Sequence, residues 1–108
     1  MNTHFFNQLK SSKNIIVPIS NSDEFRRIQG VFFSIGAGYT SNDNETLIQQ
    51  YVEYSDCFKS IKCSESGKLS VTEEAVPHHK AKDSFVITAF QAAYNSLSIF
   101  SDRFGKMD

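Results

Sequence analysis

Between Ser84 and Ser101 the chain carries no Asp, Glu, Lys or Arg, in a sequence that is 21% charged overall. Such a stretch has to be covered. It holds Phe85, Val86, Ile87, Phe90, Leu97, Ile99 and Phe100, too much apolar surface to stand alone in water. Seven Ser, Thr, Gln and Asn side chains are interspersed among them, too many for a lipid-spanning helix. A helix from Asp83 to Phe104 is expected, with Gly105 as its stop. On a helical wheel Val86, Phe90, Ala93, Leu97, Phe100 and Phe104 form one apolar face, so Phe90 and Leu97 are expected in the core. Phe85, Ala89, Ala92 and Ile99 form a second face, margined by Gln91 and Asn95, and a second face calls for a second neighbour.

The rest of the chain reads as a single domain over residues 1–108, with no repeat, low-complexity tract or linker. Thr3–Lys10 has the pattern of a short amphipathic helix turning Phe5, Phe6 and Leu9 inward. Ile15–Ile19 is β-branched but holds Pro18, which suits an extended lead-in or an edge strand. Asn21 or Ser22 offers an N-cap, Asp23 and Glu24 an acidic first turn, and Phe25, Ile28, Phe32 and Ile35 one face of a helix ending near Ile35. Residues 31–39 also alternate as a strand would. Leu47, Tyr51, Tyr54, Phe58 and Ile61 recur at helical spacing and predict a further helix. Ser64–Lys82 is an irregular loop with a strand at Lys68–Glu73 and room for a hairpin. The expected fold is therefore mainly α, a compact helical bundle with an irregular loop or short hairpin before the C-terminal helix. The alternative is α+β, with Ile15–Ile19, Val31–Tyr39 and Leu69–Glu73 in a small antiparallel sheet.

Candidate chemistry is sparse. Eleven Lys and Arg balance twelve Asp and Glu, so the chain lacks the basic footprint of a nucleic-acid binder. His78-His79-Lys80 is the histidine cluster, in a loop ahead of a helix, but neither zinc-ligand spacing nor a nucleophile signature accompanies it. Cys57 and Cys63 have the spacing of neither a redox pair nor a zinc knuckle and read as free thiols. Gly36-Ala37-Gly38 lacks the third glycine and the strand-to-helix setting of a phosphate loop and reads as a turn. No catalytic residue, metal site or cofactor is assigned. The N-terminus has no basic region followed by a long apolar run, so a cytoplasmic protein without a membrane span is expected.

These features favour a non-enzymatic protein-binding or self-associating accessory or inhibitor protein, partnered by its own copy or by one other protein. The expected binding residues are His78, His79, Phe85, Ala89, Gln91, Ala92, Asn95 and Ile99. One alternative is a binder of a small apolar ligand in a Phe-lined cavity. Another is a small hydrolase or nuclease using His78 or His79.

Overall fold

The computed structural model describes residues 3–40, 46–73, 84–95 and 97–104. Its architecture is α+β, not a helical bundle. Strands β1 (Asn14–Pro18), β4 (Ser60–Ser64), β5 (Leu69–Thr72) and β6 (Ser84–Val86) form a mixed sheet in the order β5-β4-β1-β6. β1 runs antiparallel to β4 and parallel to β6, and β4 and β5 make an antiparallel hairpin. A two-stranded ribbon pairs β2 (Tyr39–Thr40) with β3 (Leu47–Ile48).

The register puts Leu69, Cys63, Ile15 and Phe85 in one row across the sheet, and Val71, Ile61 and Val17 in the next. Because side chains two residues apart share a face, both rows point the same way. They meet Phe5 and Leu9 of α1 (Thr3–Ser11), Phe25, Ile28 and Phe32 of α2 (Ser22–Ser34), Ala92 of α3 (Ala89–Tyr94), and Leu97 and Phe100 at α4 (Ser98–Ser101), in one core. A sheet face covered by helices is a two-layer solution to burying both surfaces.

Local chemistry accounts for the elements the sequence pattern finds. Asn21 caps α2 by accepting the Glu24 N–H at 2.9 Å. The helix ends in a Schellman motif: Gly36 takes φ +98°, its N–H donates to the Phe33 carbonyl, and the Ala37 N–H donates to Phe32. The β4–β5 turn, Glu65 to Gly67, places Gly67 at φ +90°, as a three-residue hairpin loop requires.

Four expectations are corrected. First, β1 lies inside the sheet. Pro18 is tolerated because Ile15, Val17 and Ile19 direct their main-chain groups to β4, whereas Pro18 faces the other side, where pairing with β6 ends at Ile16. Second, residues 31–34 complete α2, so only Tyr39 of the proposed 31–39 strand is in a sheet. Third, 47–61 contains no helix. Ile48, Tyr51, Val52 and Tyr54 have strand-type side chains, and exposure alternates from Tyr51 to Ser55. Fourth, the expected 83–104 helix divides into β6, α3 and α4. Phe85-Val86-Ile87 completes the sheet, and Thr88 with Gln91 forms a capping box that starts α3 afresh.

Candidate interaction surface

The capping box fixes where α3 begins. Thr88 Oγ1 accepts the Gln91 N–H at 3.0 Å, and Gln91 Oε1 accepts the Thr88 N–H at 2.9 Å. From this start Ala92 turns into the core, 1% exposed, while Phe90 and Tyr94 turn outward, 70% and 74% exposed. Their i, i+4 spacing stacks the rings, with centroids 4.5 Å apart and planes 33° from parallel. Two adjacent aromatic rings in water, on a helix with no charged side chain, are the least expected feature of this surface.

Of the expected binding residues, His78 and His79 lie outside the described residues. The other six do not share one face. Phe85 is half-buried in β6, its ring 5.5 Å from Phe5. Ala89 begins α3 and packs against the core, and Ala92 is within it. The Gln91 amide belongs to the capping box, and Asn95 Nδ2 donates to the Gln91 carbonyl at the other end of the helix. Ile99 is exposed on α4, at a cleft of about 500 Å³ shared with Lys10, Asp102 and Arg103. Leu97 is buried as expected; Phe90, expected beside it in the core, is not. Tyr94 is absent from the sequence-based site, yet its i, i+4 spacing from Phe90 within a helix that starts after Thr88 sets the two rings on one face.

A second cleft, of about 400 Å³, separates the start of α2 from residues 52–54. Of its lining only Phe25 is a phenylalanine, and the α4 cleft has none, so neither is the Phe-lined cavity considered above. Gln29, fully buried, ties residues 52–54 to α2: its Oε1 accepts the Val52 N–H at 2.8 Å and the Tyr39 hydroxyl at 2.7 Å, and its Nε2 donates to the Val52 carbonyl at 3.3 Å. Burial pushes the Tyr39 phenol up to about 12.

Arg103 serves the fold. Its Nη2 donates to the Leu9 carbonyl at 3.0 Å, near the end of α1, and its guanidinium lies over the Phe100 ring. Cys63 is buried in β4, which pushes its thiol up, while Cys57 is exposed. Among the described residues, no group of three His, Cys, Asp or Glu is placed to hold a metal ion. None of their helices is long and apolar enough to cross a membrane.

Comparison of the chain with protein-family models, with curated proteins and with solved structures gives no match.

Proposed function

We propose that this chain is a non-enzymatic protein-binding module that associates with its own copy through α3. The observation that carries the reading is the exposed, stacked pair Phe90 and Tyr94. A two-fold contact sets each side chain near its own copy, so charges on such a surface repel. The stretch around α3, uncharged from Ser84 to Ser101, meets itself without that penalty. It also lacks the Lys and Arg that phosphate contacts require, which disfavours nucleic acid as the partner. Each ring is worth about 1.5–3 kcal/mol on full burial. Four rings supply about 6–12 kcal/mol against an association cost of about 4–15 kcal/mol, so the two nearly balance and a weak, reversible dimer is expected.

The test is sedimentation equilibrium from about 1 µM to 1 mM, a range that brackets weak dimers. Wild type should gain mass with concentration, and Tyr94→Glu, which places a like charge twice in the contact, should remain a folded monomer. A wild type that is monomeric throughout, or a Tyr94→Glu protein that associates equally well, defeats the proposal. Ala92→Glu is unsuitable here, because Ala92 is in the core and the change should unfold the chain.

A further inference from the structure

The cleft beside α2 has a main-chain edge that no described residue fills. Gln29 takes both the N–H and the C=O of Val52, as a neighbouring strand would, so the Val52 edge faces α2. Exposure alternates from Tyr51 to Ser55, the period of an extended chain. In such a chain, main-chain groups two residues apart face the same edge. The Tyr54 N–H and C=O therefore point the same way as those of Val52, but toward the earlier turn of α2, where Asp23, Phe25 and Arg26 line the cleft. Neither group has a hydrogen-bond partner among the described residues. The Tyr54 ring is anchored 5.6 Å from Phe25 and 6.5 Å from Phe58, which fixes the strand beside the opening.

The rim adds a charge preference. Asp23 and Glu53 line the cleft and make no ion pair among the described residues. The cation beside them, Arg26, stacks on the Tyr51 ring, 4.0 Å from its centroid. We infer that this cleft takes an extended peptide segment, which pairs through its own main chain with Tyr54 and presents a lysine or arginine side chain to Asp23 and Glu53. This is recognition by strand addition, in which main-chain hydrogen bonds supply the hold and a flanking charge the selectivity. It goes beyond the α3 contact and does not depend on it.

The experiment is an amide NMR titration of the full chain at low salt with two capped tripeptides, valine-lysine-valine and valine-glutamate-valine, up to about 10 mM, where weak contacts register. With the lysine peptide the Glu53, Tyr54 and Phe25 amides should shift, with half-saturation at about fivefold lower concentration than with the glutamate peptide, as expected of exposed charge pairs. Asp23→Asn combined with Glu53→Gln should erase that difference and keep the Tyr54 shift. The inference is overturned if Tyr54 does not shift, if the two peptides bind wild type equally, or if the shifts fall on α3 instead.

Discussion

Replacing Gln29 with Ala removes a buried amide that holds two elements at once. The side chain is fully buried, and its two shortest bonds, from the Tyr39 hydroxyl at 2.7 Å and the Val52 N–H at 2.8 Å, are the ones expected to matter most. Each is worth about 1 kcal/mol net, and more where the abandoned partner stays out of water. The longer bonds to the Val52 and Phe25 carbonyls, at 3.3 and 3.4 Å, add less. With the cavity left by the side chain, the loss should be about 2–4 kcal/mol. For a domain of this size that lowers the melting temperature by about 9–18 °C. Thermal melts followed by circular dichroism measure it, with Gln29→Leu as the control: leucine restores most of the volume and none of the hydrogen bonds. If Gln29→Leu melts within about 2 °C of wild type, the amide is only a space-filler, and the reasoning about residues 52–54 fails.

Gly38→Ala should lower the urea midpoint, by about 1–3 kcal/mol of stability, because the added Cβ would lie 2.9 Å from the Ile48 carbonyl oxygen and force β3 off β2. Gly30→Ala should be neutral or stabilising, since its Cβ meets only the movable Tyr51 hydroxyl at 3.0 Å and alanine suits a helix better by about 1 kcal/mol; the reverse order would contradict both placements. One of the four tyrosines, Tyr39, should ionise late in an alkaline absorbance titration, since burial raises its phenol from 10.0 to about 12. As the folded value lies above the unfolded one, its contribution to stability is complete below pH 10 and is lost as pH rises toward 12; Tyr39→Phe should remove that part of the pH dependence.

Where local signals agree, the sequence is sufficient to place an element. Asn21, the acidic turn at Asp23 and Glu24, the Phe25-Ile28-Phe32 face and Gly36 all point to α2, and it forms between Ser22 and Ser34. Phe5 and Leu9 likewise place α1. The failures come where an apolar spacing fits two periods. Tyr51, Tyr54 and Phe58 match a helical stripe, but Tyr54 meets Phe25 from an extended chain and Phe58 meets it from beyond the turn at Ser55–Phe58, long-range contacts that spacing does not encode. In the charge-free stretch, the wheel from Asp83 to Phe104 overrides a start signal at Thr88 and the strand character of Phe85, Val86 and Ile87. The helical path is interrupted at Thr88 and again at Asn95, so a single wheel over 83–104 does not relate Phe85, Phe90 and Leu97 to one another, and within α3 it is Ala92 that faces inward and Phe90 that faces out. The six described residues of the expected binding face are dispersed for that reason, and the exposed aromatic pair on α3 lies outside that set.

The chain has no tryptophan, so Phe90→Trp introduces a single reporter at the centre of the proposed contact. With Phe90 70% exposed, dilute protein should emit as a hydrated indole, and the emission should move steadily to the blue as concentration rises and the copies bury the ring against each other. A blue, concentration-independent emission would contradict the exposure of α3, and a red emission that never moves would contradict self-association through it.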